Sequence, residues 1–194
     1  HEHLDIIGAH AKAPVINLLS DLEHPCQALA DVQTMSEARP LAGSVLTFIG
    51  DGNNVCHSLM VAAAMLDVEV RVAAPEGYDP LPEYVELASQ YSSVTVTPDV
   101  NAAVEGSDFV YTDVWASMGQ EDEAAARRRL FEGYRVDEEL FGRANDTAVF
   151  LHCLPAHRGE EVTDGVADHS RSRIFDQAEN RMHSFKGVLL HLTQ

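Results

Sequence analysis

A histidine and a glutamine three residues apart, in His24-Pro25-Cys26-Gln27, are the first residues whose spacing points to chemistry. Pro25 suits the first turn of a helix, where its missing N–H costs nothing. On that turn the imidazole and the carboxamide face the same way, near the positive end of the helix dipole. Such a pair can grip a small amide-like group: Gln27 pairs with its N–H donors and His24 donates to its carbonyl oxygen. A polar helix cap with no ligand is the plainer reading of the same residues.

Gly50-Asp51-Gly52-Asn53-Asn54 invites a dinucleotide-binding reading. The third glycine of that fingerprint is missing, because Val55 stands in its place, and two bulky asparagines occupy the path of a pyrophosphate. A tight turn with an asparagine cap explains the glycines but hardly two adjacent asparagines. An asparagine at a helix start offers both donor and acceptor, which suits a zwitterion such as an amino acid. In His152-Cys153-Leu154-Pro155 the cysteine is either a small buried hydrophobe or an acid–base group. Arg181, in Glu179-Asn180-Arg181, reads by itself as part of a solvated helix face.

Short apolar runs rich in β-branched residues alternate with amphipathic stretches. They predict strands at Val45–Gly50, Glu69–Ala73, Val94–Thr97, Phe109–Thr112 and Ala148–His152. Helices are expected at Asn54–Leu66, Pro82–Tyr91, Asp99–Glu105, Glu121–Leu130 and Asp137–Arg143. The implied fold is α/β: a doubly wound, mainly parallel five-stranded sheet with helices on both faces, Rossmann-like, plus connecting and returning helices. Ligands of such sheets bind at the carboxyl ends of the strands. Asn54, Asp113, Ser117 and Cys153 all follow strand ends and are expected in one crevice. Before the sheet, Pro14–Leu19 reads as a buried strand and residues 24–38 as a helix. After it, Asp176–Leu192 is a helix with an apolar stripe that must pack on something. The organisation expected is a connector over 1–39, a ligand-binding domain over 40–175 and a returning helix over 176–194.

Together these residues carry a resemblance that none carries alone. The runs His24 to Asp31, Gly50 to Asn54, Asp113-Val114-Trp115, Ser117-Met118-Gly119-Gln120-Glu121, His152 to Pro155 and Glu179 to Arg181 resemble ornithine carbamoyltransferases, in order along the chain. Ser-Met-Gly after Asp-x-Trp marks the ornithine branch of the transcarbamylases. The resemblance implies carbamoyl transfer from carbamoyl phosphate to the δ-amino group of L-ornithine, giving L-citrulline and phosphate, with no metal or cofactor. It implies catalytic roles for Cys153, as proton acceptor, His24 and Arg181. Asn54, Asp113, Ser117 and Met118 are implied to hold ornithine. His24, Gln27, Cys153, Leu154 and Arg181 are implied to hold carbamoyl phosphate. A trimer-based homo-oligomer is also implied. One departure stands out: the family's Ser-x-Arg-Thr-Arg phosphate loop does not occur in this sequence. The expectation is therefore an ornithine-side half, inactive alone. A noncatalytic amino-acid-binding domain and a transcarbamylase for another amine are the rival readings.

The 194 residues carry 31 acids against 13 Lys and Arg, a formal net charge of −18. A chain this acidic repels phosphate backbones and anionic lipid, which argues against nucleic-acid and membrane partners. It also fits a protein working in concentrated salt, or one from an acidic proteome. Three widely spaced cysteines argue for a reducing compartment. With no basic, apolar leader opening the sequence, the cytoplasm is the expected location.

Overall fold

The computed structural model describes residues 1–116 and 124–194. Its centre is a sheet of five parallel strands: β1 (Val45–Ile49), β2 (Glu69–Ala73), β3 (Val94–Thr97), β4 (Phe109–Thr112) and β5 (Val149–His152). Their order across the sheet is β3-β2-β1-β4-β5, with Leu46 opposite Val70 on one side and Phe109 on the other. The chain winds outward from β1 to β3, then returns to the far side of β1. β1 and β4 therefore flank the point where the winding reverses, and a crevice opens there at the carboxyl edge.

Alternation along the strands builds two cores. Leu46, Phe48, Val70, Val72, Tyr111 and Leu151 face one side, with Met35, Leu59 and Met60 from the helices α2 (Pro25–Ala38) and α3 (Asn54–Ala64). Ile49, Val110 and Phe150 face the other, with Val100 of α5 (Val100–Val104) and Phe141 of α7 (Glu138–Phe141). Both faces are covered, as the nearly unbroken apolar runs of the middle strands require. α1 (Glu2–His10) precedes this unit, the short α8 (Asp164–Ala167) follows β5, and the last helix, α9 (Ile174–Leu192), lies along α2. Among the described residues no helix is long and apolar enough to cross a membrane.

One expectation fails outright. Pro14–Leu19 is irregular rather than a strand, and Val15, Leu18 and Leu19 are exposed. The segment's contacts are made by side chains instead: Cys26 Sγ bonds to the Asn17 carbonyl at 3.4 Å, and Asn17 Nδ2 to Ser20 Oγ at 3.3 Å. Several helices are shorter than read, α3 ending at Ala64 and α4 (Pro82–Ala88) three residues early, whereas α9 begins two residues sooner, at Ile174. Of the expected helix over Glu121–Leu130, residues 121–123 lie outside the described residues and the rest is α6 (Ala124–Leu130).

Candidate active site

The turn after β1 is shaped by contact rather than by a phosphate. A Cβ on Gly52 would fall 2.2 Å from the Pro80 nitrogen, so only glycine lets that loop close. Asn53 caps α3, its side-chain oxygen accepting from the N–H groups of Val55 and Cys56. Its amide then donates to Asp113 Oδ2 at 2.9 Å, across the β1–β4 crevice. Asn54 turns the other way and donates to the Ser20 carbonyl at 2.6 Å. The asparagine that reaches Asp113 is thus Asn53, which the sequence reading left without a ligand role.

Asp113, just past β4, is also the acceptor for Cys153, just past β5: Cys153 Sγ to Asp113 Oδ1 is 2.9 Å. Burial and the adjoining carboxylate push the Cys153 thiol well up. The residues around Cys153 fix its place. Leu154 N–H donates to His152 Nδ1 at 2.9 Å, so the ring proton sits on Nε2 and faces Glu161 Oε1 at 3.1 Å. His152 and Glu161 are both fully buried. Leu154 itself holds φ +57°, in the left-handed region.

A second group of side chains comes from α2 and α9. Arg181 Nη1 donates to Gln27 Oε1 and lies 3.5 Å from His24 Nε2. Burial and the Arg181 charge hold the His24 imidazole below its usual pKa, so it is neutral near pH 7. Its Nδ1 is buried and makes no hydrogen bond among the described residues. Beneath both groups lies Asp31, which accepts from Gln27, Gln177 and Tyr111. On the crevice's other flank, Arg127 Nη1 donates to Asp51 Oδ2 at 2.6 Å and to the Trp115 carbonyl at 3.1 Å.

The arrangement offers an anionic carboxylate–thiol pair beside a neutral imidazole, an amide oxygen and a guanidinium. It can bind a cationic amine on one side and polarise a carbonyl on the other. Ligand atoms of Asp113, His152 and Cys153 lie within 4.8 Å of one another, as metal ligands would. Both His152 nitrogens, however, are already engaged. Of the residues singled out from the sequence, Asp113 and Cys153 touch, and His24, Gln27 and Arg181 form one cluster. Ser117 and Met118 lie outside the described residues.

Residues 42–192 match the family described as aspartate/ornithine carbamoyltransferase, Asp/Orn binding domain, and residues 1–37 match its carbamoyl-P binding domain. The chain belongs to the aspartate/ornithine carbamoyltransferase family. It is 52% identical over 194 residues to an ornithine carbamoyltransferase of Synechocystis, a match covering 97% of this chain and 63% of that protein. It is likewise 52% identical over 190 residues to the anabolic ornithine carbamoyltransferase of Pseudomonas aeruginosa, covering 97% and 62%. In three dimensions the chain is similar to the Pyrococcus furiosus ornithine carbamoyltransferase, with TM-score 0.93 and 47% identity over 97% of this chain and 62% of that one. The chain thus spans less than two thirds of the length of each of these three relatives.

Asp31, Asn53, Arg127, Glu161 and Gln177 were not assigned roles from the sequence. For Asp31 a signal existed: it stands four residues after Gln27, on the same helix face.

Proposed function

We propose that this chain supplies the ornithine side of a carbamoyltransferase active site, carrying out transfer from carbamoyl phosphate to the δ-amino group of L-ornithine. The observation that carries this reading is the Cys153–Asp113 contact, 2.9 Å long, beside the His24–Gln27–Arg181 cluster. The names of the relatives at 52% identity support it.

A free amine with a pKa of about 10 arrives as an ammonium and must lose a proton before it can attack. The Asp113–Cys153 pair shares one proton and one negative charge, and it can accept one proton more. An ammonium docked on Asp113 offsets the carboxylate's effect on the thiol, which brings Cys153 toward the proton-accepting role. The nitrogen then attacks the carbamoyl carbon, the bond to the phosphate oxygen breaks, and phosphate leaves with the electron pair and the nitrogen's second proton. His24 and Arg181 stabilise the charge that grows on the carbamoyl oxygen. Gln27 Oε1 and the Leu154 carbonyl accept from the carbamoyl nitrogen. Asn54, Ser117 and Met118 take the α-amino and α-carboxylate groups. Phosphate falls to the carbamoyl-P binding domain, which this chain matches only over residues 1–37, and the working enzyme is a homo-oligomer.

Calorimetric titration of the 194-residue chain with L-ornithine, L-aspartate and putrescine, together with citrulline assays on the product of the whole coding sequence, tests this. Ornithine should bind in preference to the other two, and citrulline should form. Tighter binding of aspartate or putrescine assigns a different amine. Ornithine binding without citrulline leaves a noncatalytic amino-acid-binding protein.

A further inference from the structure

Asp31 touches none of the reacting groups, yet three side chains converge on it. Its Oδ1 accepts from Gln27 Nε2 and from Gln177 Nε2, both at 2.6 Å, and its Oδ2 from the Tyr111 hydroxyl at 3.1 Å. Asp31, Gln27 and Gln177 are all buried. A carboxamide has one donor end and one acceptor end, so a bond at one end dictates what the other presents. Because Gln27 gives its NH2 to Asp31, its carbonyl oxygen is turned toward Arg181 and His24. A flipped amide would set oxygen against oxygen in a place water does not reach.

This direction does not depend on the charge of Asp31. Oδ1 keeps its lone pairs for the two amides whether or not a proton sits on Oδ2 toward Tyr111. Gln177 is oriented in the same way, and its oxygen accepts the His152 N–H at 2.9 Å, at the last residue of β5. One carboxylate thus sets the direction of two amides, one on α2 and one on α9.

We propose that Asp31 is a specificity-determining positioning residue, which presents the Gln27 oxygen to the acyl donor and so selects a carbamoyl group over an acetyl group. This rests on the acyl-transfer reading above. The two groups have nearly the same shape and differ where one carries NH2 and the other CH3. Only NH2 can donate to the second lone pair of Gln27 Oε1, and a site built for such a bond rejects the analogue lacking it. Both donors would react alike. The δ-ammonium gives one proton to the Asp113–Cys153 pair, and the freed nitrogen bonds to the acyl carbon. The carbon–oxygen bond to phosphate breaks with its electron pair going to phosphate, and the second nitrogen proton leaves on that phosphate. Acetyl phosphate would give δ-N-acetylornithine.

The test compares kcat/KM for carbamoyl phosphate and acetyl phosphate in the product of the whole coding sequence. Asp31→Leu removes the acceptor, whereas Asp31→Asn keeps an oxygen that can hold both amides. The preference for carbamoyl phosphate should fall about tenfold or more in Asp31→Leu and stay within about threefold in Asp31→Asn. An unchanged preference in Asp31→Leu, or an equal loss in both variants, overturns the proposal. Should Asp31→Leu not fold, hydrogen exchange of the Gln27 side-chain amide in the unsubstituted 194-residue chain decides. Slow exchange supports the fixed amide, and exchange at the rate of a free glutamine overturns it. No turnover by the unsubstituted enzyme with either donor would instead overturn the acyl-transfer reading, and the selectivity with it.

Discussion

At Cys153 two influences act in the same direction, because the half-buried thiol is desolvated and the Asp113 carboxylate stands 2.9 Å away. Both disfavour the thiolate. Alkylation of Cys153 by iodoacetamide, followed by peptide mass spectrometry, should therefore still be accelerating above pH 9. In Asp113→Asn the negative neighbour is gone, and the midpoint of that pH dependence should move down. An unmoved midpoint would leave burial as the sole cause. Gly52 offers a test of geometry instead of charge. Its missing Cβ would meet the backbone of Asp79 and Pro80 at 2.2 to 2.7 Å, and backbone cannot swing aside. Gly52→Ala should cost about 2–3 kcal/mol, read from denaturant unfolding. A loss below ~0.5 kcal/mol would mean the loop before α4 yields easily.

Among the elements, α3 is tied to two neighbouring segments by one side chain. His57 Nε2 accepts the Leu81 N–H at 3.0 Å, which leaves Nδ1–H to donate to the Leu22 carbonyl at 2.9 Å. The ring stacks on Tyr84 with centroids 4.3 Å apart. Burial holds its pKa below 6.5, so the folded chain resists a proton that the unfolded chain takes up. The stabilisation is present above pH 6.5 and is lost as the pH falls through the lower folded value. His57→Leu should lower stability at pH 7 by about 1–3 kcal/mol and flatten the decline in melting temperature from pH 7 to pH 5. A parallel decline would shift the cause to His24 or to other groups. The strands were legible in the sequence because each is a short β-branched run covered on both faces, a pattern that needs no knowledge of its neighbours. Pro14–Leu19 has similar residues but pairs with no strand of the sheet, and pairing cannot be read from a run alone. The site was legible in part for the same reason. Asp113 and Cys153 follow strand ends, whereas Glu161 and Gln177 act through contacts nine and 146 residues away in sequence.

For the whole molecule, the net charge of −18 sets a long-range repulsion against the local ion pairs. Exposed pairs such as Arg158 with Asp164 and Asp168 weaken in salt, while the overall repulsion weakens too. Melting temperature should rise between low and molar potassium chloride if the acidity is an adaptation to brine. A flat or falling trend removes that reading. The winding order of the sheet carries a consequence of another kind, in time. β1 neighbours β4, Asn53 meets Asp113 across 60 residues, and Asp31 meets Gln177 across 146. During synthesis α2 and β1 leave the ribosome long before the last of the partners that cover them. α3 and β2 cover part of their apolar faces soon afterwards, but Met35, Leu46 and Phe48 are not fully enclosed until β4, β5 and then α9 arrive. Such distant pairings place a chain among the slower folders and leave its nascent form open to aggregation and to chaperones. The crevice exists only where β1, β4 and β5 lie side by side, so a ligand spanning Asn53, Asp113 and Cys153 meets only chains in which these strands have assembled.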